Sequence, residues 1–206
     1  ALKLEDFTVL GWSTGGGVAL ELAVIKPDQV KKVILLDSVG VKGYPMFQKD
    51  AAGKPLLDKP HVSKETIGQD AVQVAPVLYA YANQDKATMK AIWNALIYNL
   101  KQPSEDVYDE YIQAMFKQRN LVDVDYALMV FNMSNEHSGF AEGSNRLKDI
   151  KAEVLILHGA KDLVVPIAFA QQTKSFLLDK AELVIIDHTG HSLVTDDFKL
   201  FIKTLR

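Results

Sequence analysis

The chain has 206 residues, of which 48% are hydrophobic and 24% charged, and its formal net charge is −3. This length and composition are typical of one folded domain, with or without an insertion. The weak negative charge gives no electrostatic reason to expect nucleic acid or an anionic membrane as a partner. No apolar run reaches the roughly 18 residues that a membrane-spanning helix needs.

Cysteine is absent from the sequence. Its absence excludes disulfides, thiolate nucleophiles and cysteine-ligated zinc, and it suits a reducing compartment. We therefore expect a cytoplasmic location. The chain begins at Ala1, so a targeting segment upstream of this residue is not excluded. The sequence predicts no oligomeric state.

Apolar runs alternate with helical patterns at both ends of the chain. Residues 7–10 form a β-prone run, and residues 18–25 then form a helical pattern that Pro27 closes, since the residue before proline avoids the α region. Helical patterns recur at residues 167–178 and 198–205. Three further apolar runs are typical of strands buried on both faces, at residues 33–36, 154–157 and 183–186. This alternation predicts an α/β fold with a doubly wound parallel sheet.

The middle of the chain, residues 43–146, has strong helical periods and no clear strand. The apolar stripes that predict helices lie at residues 89–100, 107–116 and 124–131. Ser104 suits the N-cap of the second of these helices. We therefore predict a core formed by residues 1–42 and 147–206, with residues 43–146 inserted as a helical cap over an active site. A helical region that only stabilises the core is the alternative.

A short glycine-rich motif marks the candidate nucleophile. Residues 11–15 read GWSTG and match G-x-S-x-G, between a predicted strand and a predicted helix. A serine in such a strained turn projects its hydroxyl clear of the backbone, and we expect Gly11 and Gly15 to leave room for neighbouring backbone. The motif lacks the lysine and the spacing of a phosphate-binding glycine loop. Ser13 is therefore the predicted nucleophile.

A serine hydroxyl needs a base that takes its proton, and the chain offers five histidines. His191 follows the last predicted strand, at the sheet edge where open α/β sheets bind ligands. His188 is the closest rival, but Gly190 indicates a tight turn that presents His191. His158 ends a strand, where we expect a hydrogen bond within the core. A zinc site formed by Asp187, His188 and His191 lacks further ligands at a usual spacing, so no metal is predicted.

The base in turn needs an acid that fixes its tautomer and stabilises the imidazolium. Asp162 lies directly after the strand predicted at residues 154–157, and it precedes His191 by 29 residues. The order serine, aspartate, histidine along the chain is a known order for this constellation. Asp37 competes with Asp162, because it ends the strand that follows the predicted nucleophile helix and lies at the same edge. Asp162 is the predicted acid.

The transition state of such a reaction also requires donors to the oxyanion. One predicted donor is the backbone N–H of Thr14, the residue after the nucleophile. The second donor normally comes from an earlier loop, and the chain has no such loop before Ser13. We therefore expect that the first strands of the sheet are missing and that this chain alone is catalytically impaired. Trp12 is a candidate to line the acyl-binding site, with plain packing as the alternative.

The motifs together resemble the α/β-hydrolase superfamily. The resemblance lies in GWSTG at residues 11–15, LHGAKD at residues 157–162 and GHS at residues 190–192. A narrower resemblance is to intracellular short-chain polyhydroxyalkanoate depolymerases. The segments that carry it are the GWSTG box with its continuation GGGVALE at residues 15–21, SVGVKGYP at residues 38–45 and QRNLVDV at residues 118–124.

The narrower resemblance implies hydrolysis of ester bonds in poly(3-hydroxybutyrate) or its oligomers. The implied mechanism uses no cofactor and proceeds through an acyl-enzyme on Ser13, with His191 as base and Asp162 as acid. A general carboxylesterase or lipase, or another hydrolase with the same three residues, such as a C–C hydrolase or a perhydrolase, remains an alternative. A non-catalytic binding protein on the same fold is disfavoured because all three residues are present.

Overall fold

The computed structural model describes residues 4–205 of the chain. The elements in chain order are β1 (Phe7–Trp12), α1 (Thr14–Ile25), β2 (Val30–Leu36), β3 (Phe47–Lys49), β4 (Pro55–Pro60), α2 (Lys64–Gly68), α3 (Ala75–Asn83), α4 (Lys86–Leu96), α5 (Glu105–Met115), α6 (Leu121–Val130), β5 (Glu153–Gly159), α7 (Ile167–Leu177), β6 (Ala181–Ile186), α8 (Leu193–Asp196) and α9 (Phe198–Thr204). Within the described range, no helix combines the length and the apolar character needed to cross a bilayer.

Four strands form one parallel sheet in the order β1-β2-β5-β6. Leu10 of β1 lies opposite Ile34 of β2, which lies opposite Leu155 of β5, and Leu155 lies opposite Glu182 of β6. Each of the four strands overlaps a predicted apolar run, and a helix connects β1 to β2 and β5 to β6. The predicted α/β fold with a parallel sheet is confirmed.

The two faces of the sheet are buried under different layers. Val33 and Leu35 of β2 pack into a cluster with Leu20 of α1 and with buried residues of α7. The alternate residue Ile34 packs on the other side, in a cluster with Phe201 of α9. Successive strand residues point to opposite faces, so a strand that is apolar throughout has to be covered on both. This is the physical reason why β2 reads as a continuous apolar run.

The first helix starts earlier than its apolar pattern does. It begins at Thr14, directly after Ser13, so the glycines of its first turn belong to the helix. It ends at Ile25, in agreement with the stop predicted from Pro27, and the N–H of Lys26 donates to the carbonyl of Leu22. Its buried residues, which include Leu20, pack against the sheet.

The expectation that residues 43–146 contain no strand is wrong. Strands β3 and β4 form an antiparallel hairpin in this region, with Phe47 opposite Pro60. Neither strand has a buried residue. A short, exposed strand does not need the alternation of apolar and polar residues by which strands are recognised, and proline at both ends of β4 further obscures it.

The helices of the insertion follow their predicted stripes, with some shifted ends. Helix α4 ends at Leu96, four residues before the end of its stripe. Ser104 occupies the N-cap of α5 as predicted, although its side chain makes no capping hydrogen bond. Met89 of α4 and Tyr108 and Ile112 of α5 are fully buried in one cluster. The insertion therefore has an apolar core of its own.

Candidate active site

Four polar residues lie where the four strands of the sheet end. Ser13 follows β1, Asp37 follows β2, Asp162 lies in the loop after β5, and His191 lies in the loop after β6. Because the strands are parallel, all four loops lie at the same edge of the sheet. This carboxyl edge is where open α/β sheets bind ligands.

The turn at Ser13 is strained. Its φ of 52° lies in the left-handed region, which a non-glycine residue occupies at a cost of about 1–3 kcal/mol. The surrounding backbone holds it there: the N–H of Ser13 donates to the carbonyl of Leu36 at 2.9 Å, and the N–H of Val39 donates to the Ser13 carbonyl at 3.2 Å. The Ser13 hydroxyl does not cap α1 and stays available.

The glycines around Ser13 permit close packing, but not at every position that we expected. A Cβ on Gly11 would lie 2.2 Å from the carbonyl oxygen of Gly15, and a Cβ on Gly16 would lie 1.8 Å from Oγ of Ser38. A Cβ on Gly15 would meet nothing within 4 Å. The expectation that Gly15 leaves room for approaching backbone is therefore wrong, because at this position the first turn of α1 faces open space.

The predicted acid and base are in contact. Nδ1 of His191 lies 2.8 Å from Oδ2 of Asp162, and both side chains are almost completely buried. The other carboxylate oxygen, Oδ1, accepts from the backbone N–H groups of Val164 and Val165 at 2.7 and 2.9 Å. These bonds fix the carboxylate, so Asp162 orients the imidazole of His191. The structure has no hydrogen bond between this imidazole and the Ser13 hydroxyl.

Trp12 connects the strand of the serine to the loop of the histidine. Its indole Nε1 donates to the backbone carbonyl of His191 at 2.7 Å, and the two rings lie 5.4 Å apart. Trp12 lines an apolar cavity of about 340 Å³ together with Trp93 and Tyr98. Ser13 does not line this cavity, and Trp12 does not line the cavity at Ser13.

Asp37, the competitor of Asp162, is fully buried under the same loops. Its Oδ1 accepts from the N–H of Gly159 at 2.8 Å, while Oδ2 is buried without a hydrogen-bond partner in the described chain. Burial raises the pKa of Asp37 to about 7, against the smaller lowering effects of the Gly159 hydrogen bond and the His191 charge. Asp37 therefore fixes the end of β5. The residue that contacts Nδ1 of His191 is Asp162.

The rival histidines make their hydrogen bonds elsewhere, although Nε2 of His158 also lies 3.7 Å from Oδ2 of Asp162. His158 is fully buried, and its Nε2 lies 3.0 Å from the carbonyl of Val165, as expected for a residue within the core. Burial lowers the pKa of His158, which favours the neutral form of its ring. His188 is exposed, and its Nε2 lies 3.1 Å from the Asp197 carboxylate. His188 and His191 thus contact different carboxylates, which argues against a shared zinc ion.

One group in the described chain has the spacing of cation ligands. One ligand atom from each of Asp37, His158 and Asp162 lies within 4.8 Å of the others. Both oxygens of Asp162 already accept hydrogen bonds, and one oxygen of Asp37 does so as well. A cation there would displace the contact between Asp162 and His191.

A cavity of about 200 Å³ opens at Ser13. Several of the residues that line it were not predicted as site residues from the sequence. Ser13 and Thr14 form one wall, and the backbone N–H of Thr14 is among the helix N-terminal donors that have no partner inside the helix. The remaining lining residues are Val39, Tyr44, Met46, Gln73, Leu121, Asp125, Leu128, Val164 and Val165. Of these residues, only Asp125 gave a sequence signal, because it is a charged residue within the apolar stripe at residues 124–131.

The chain is similar to known hydrolases in sequence. Residues 1–198 match the profile of the alpha/beta hydrolase fold family. The chain is 24% identical over 194 residues to 2-hydroxymuconate semialdehyde hydrolase of Pseudomonas sp. (strain CF600), covering 93% of this chain and 57% of that protein. It is also 24% identical over 191 residues to pimeloyl-[acyl-carrier protein] methyl ester esterase of Nitrosomonas europaea, covering 90% and 64%.

Solved structures share the fold. An esterase from Exiguobacterium antarcticum matches with a TM-score of 0.67 at 21% sequence identity, over 99% of this chain and 66% of that one. The chain spans 57% and 64% of the length of the two curated relatives above. The parallel sheet, the strand-to-helix turn at Ser13 and the family profile over residues 1–198 agree, and the chain belongs to the alpha/beta hydrolase fold family.

Proposed function

We propose that the full-length protein is a serine hydrolase that cleaves carboxylic esters. Ser13 is the nucleophile, His191 the general base and Asp162 the acid that orients the base. The observation that carries the proposal is the 2.8 Å contact between His191 Nδ1 and Asp162 Oδ2, at the sheet edge where Ser13 is held in a strained turn. Acyl transfer by a serine requires a nucleophile, a base and an acid that orients the base.

The first step is acylation of the serine. Oγ of Ser13 attacks the ester carbonyl carbon, and Nε2 of His191 takes the hydroxyl proton. The contact with Asp162 keeps the Nδ1 proton in place, so that Nε2 is the basic nitrogen. The N–H of Thr14 donates to the oxyanion of the tetrahedral intermediate. Collapse of the intermediate breaks the bond to the alcohol, which leaves with the proton from His191.

The second step is hydrolysis of the acyl-enzyme. A water molecule attacks the acyl carbonyl, and His191 takes a proton from it and returns one to Oγ of Ser13. The carboxylic acid leaves, and the enzyme regains its starting state. Residues 43–146 act as a cap in this scheme, since Leu121, Asp125 and Leu128 of α6 cover the cavity at the serine.

The finer proposal is that the ester is poly(3-hydroxybutyrate) or one of its oligomers. Support for it comes from the segments at residues 11–21, 38–45 and 118–124, which resemble intracellular short-chain polyhydroxyalkanoate depolymerases. All three segments contribute to the cavity, the first through Ser13 and Thr14, the second through Val39 and Tyr44, and the third through Leu121. This shared cavity supports the proposal that these segments contact the acyl group of the ester.

Hydrolysis of a carbon–carbon bond is the second candidate. It is favoured by the similarity to 2-hydroxymuconate semialdehyde hydrolase of Pseudomonas. Its substrate is, by its name, a carboxylate. Among residues 4–205, no lysine, arginine or histidine lines the cavity at Ser13, whereas Asp125 does. An anionic group is poorly accommodated by such a lining, so we place ester hydrolysis first.

The test uses the full-length protein and its Ser13→Ala variant. Three assays run in parallel: release of 3-hydroxybutyrate from amorphous polyhydroxybutyrate granules, hydrolysis of p-nitrophenyl butyrate, and cleavage of 2-hydroxymuconate semialdehyde. We expect activity on the first two substrates and a loss of about 10⁴-fold or more in kcat for Ser13→Ala. Ser175→Ala, which changes an exposed serine of α7, is the matched control and should keep full activity.

The outcomes separate the candidates. Activity on p-nitrophenyl butyrate alone keeps the esterase and removes the polymer as substrate. Cleavage of the semialdehyde without ester hydrolysis assigns the chain to carbon–carbon chemistry. Retention of turnover in Ser13→Ala contradicts the mechanism itself.

A further inference from the structure

The loops after β5 and β6, which carry the proposed acid and base, are packed directly against each other. The N–H of Lys161 in the first loop donates to the carbonyl of Thr189 in the second at 2.9 Å. A Cβ on Gly159 would lie 2.2 Å from the carbonyl oxygen of Gly190, so a larger residue would force the loops apart. The contact between base and acid therefore depends on how closely these two loops are held together.

One residue of the insertion lies against both loops. Asn99 follows α4, and its Nδ2 donates to the carbonyl of Lys161 at 3.4 Å, a long hydrogen bond. Its Oδ1 lies beside Gly190, where an added Cβ would come within 2.6 Å of it. Lys161 directly precedes Asp162 in the chain. In the same way, Gly190 directly precedes His191. A single amide side chain thus lies against the chain neighbours of both the acid and the base.

The approach of Asn99 gives a reason for glycine at position 190. The φ of Gly190 lies outside the left-handed region, so its backbone conformation is open to other residues. The atoms nearest to an added Cβ are Oδ1 of Asn99 and, at 3.4 Å, the carbonyl oxygen of Lys161. The amide of Asn99 therefore fills the space that a side chain on Gly190 would need.

Neither stability nor substrate binding accounts for the position of Asn99. Its Oδ1 is buried and has no hydrogen-bond partner in the part of the chain that the structure describes. A buried acceptor without a partner lowers the free energy of unfolding. Asn99 lines neither the cavity at Ser13 nor the aromatic cavity beside Trp12. What remains is its contact with the two loops.

The segment after α4 reaches the loop of the base at a second point. The carboxylate of Asp196, in α8, accepts from the N–H of Gly190 at 2.7 Å. Burial raises the pKa of Asp196, and the Gly190 hydrogen bond and the charge of Lys101 act against this effect. Lys101, two residues after Asn99, therefore lies near the carboxylate that holds Gly190.

We propose that Asn99 is a positioning residue that clamps the loop of His191 onto the loop of Asp162. The inference rests on the proposed hydrolase function and gives the insertion a further part in it. Asn99 belongs to the insertion, whereas both loops belong to the core. The base is then correctly placed only while the insertion is docked, so the insertion contributes to the chemical step as well as covering the cavity.

The first experiment measures steady-state kinetics of the full-length protein on p-nitrophenyl butyrate. We expect Asn99→Ala to lower kcat by about 5–10-fold, the effect of one lost neutral hydrogen bond, with KM nearly unchanged. Gln102→Ala, which changes an exposed residue of the same segment, is the matched control and should keep both constants. A higher KM with an unchanged kcat assigns Asn99 to substrate binding and overturns the proposal.

A second variant tests the contact with Gly190 itself. The Cβ of Gly190→Ala displaces the amide of Asn99, so this variant should lose about as much kcat as Asn99→Ala does. The double variant should lose no more than either single variant, because both substitutions remove the same contact. Losses that multiply in the double variant show that the two positions act independently, and they contradict the clamp.

A readout without turnover separates this proposal from the proposed esterase. In full-length protein with isotopically labelled histidine, NMR measures how fast the Nδ1 proton of His191 exchanges with water. The contact with Asp162 protects this proton, so Asn99→Ala should raise the exchange rate by about 5-fold or more, and Gln102→Ala should not. Faster exchange supports the clamp even if no ester is hydrolysed. An unchanged exchange rate contradicts the clamp and leaves the proposed esterase standing.

Discussion

At the scale of single residues, the site depends on contacts that hold the histidine loop. His191 is held from two directions, by Asp162 through its ring and by Trp12 through its backbone carbonyl. The sequence analysis considered Trp12 as a residue that lines the acyl site or packs. The structure adds a positioning contact, since the indole joins the end of β1 to the loop after β6. Its contribution to substrate binding stays a prediction.

We expect Trp12→Phe to lower kcat by about 2–10-fold with little change in KM, the range of one lost neutral hydrogen bond. The phenyl ring keeps most of the packing but cannot donate to the carbonyl of His191, so the base is positioned less well. Steady-state kinetics on p-nitrophenyl butyrate measure the effect. Trp93→Phe, which changes the ring 6.4 Å away in the same cavity, is the control. A change in KM alone would assign Trp12 to substrate binding instead.

At the scale of elements, the turn between β1 and α1 is set by close backbone packing. Gly11 lies where a Cβ would clash with backbone, whereas Gly15, on the other side of Ser13 in the same motif, faces open space. The two glycines look equivalent in G-x-S-x-G. They differ because the chain turns at Ser13 and brings the backbone of Gly15 against Gly11 of β1, whereas a Cβ on Gly15 itself would point away from other atoms.

The prediction is a contrast between two substitutions within one motif. Gly11→Ala should displace the turn and either prevent folding or abolish activity, since its Cβ would lie 2.2 Å from the Gly15 carbonyl oxygen. Gly15→Ala should fold and gain up to about 1 kcal/mol in the free energy of unfolding, because alanine is the better helix former. Urea unfolding and the esterase assay check both variants. Equal tolerance of the two would show that the turn is not set by this contact.

At the scale of the whole molecule, stability is tied to pH through Asp37. This carboxyl is fully buried, and burial raises its pKa from 3.8 to about 7. In the unfolded chain the group ionises at its ordinary pKa, so between about pH 4 and 7 the folded state binds more protons than the unfolded state. The contribution of Asp37 to stability is then complete below this window and is lost as the pH rises through it.

Asp37→Asn should therefore gain stability over the wild type as the pH rises. The amide keeps an acceptor for the N–H of Gly159 but does not ionise, so the variant lacks the loss that the wild type undergoes. We expect the difference in unfolding free energy to grow by about 2–3 kcal/mol between pH 5 and pH 8. Urea unfolding at the two pH values is the measurement. Asp58→Asn on the exposed face of β4 should give the same difference at both, and a pH-independent effect at Asp37 would contradict the linkage.

The sequence by itself determined the features that depend on local pattern. Apolar runs predicted the strands of the sheet, helical spacing predicted α4, α5 and α6, and Pro27 predicted the end of α1. Such patterns are readable because strand and helix periodicity and the geometry of proline act over a few residues. The motif at residues 11–15 pointed to Ser13 for the same reason, since a strand, a serine and a helix start are neighbours in the chain.

Only the tertiary structure decided the rest. Asp37 and Asp162 both follow strands, and the sequence left Asp37 as a competitor; the fold places the carboxylate of Asp162, 29 residues before His191, on the imidazole. Asp125 lines the cavity at Ser13 because α6 packs there. The β3–β4 hairpin has no apolar pattern because neither strand has a buried residue. These features are set by contacts between residues distant in the chain, and no local pattern encodes which distant surface a side chain will meet.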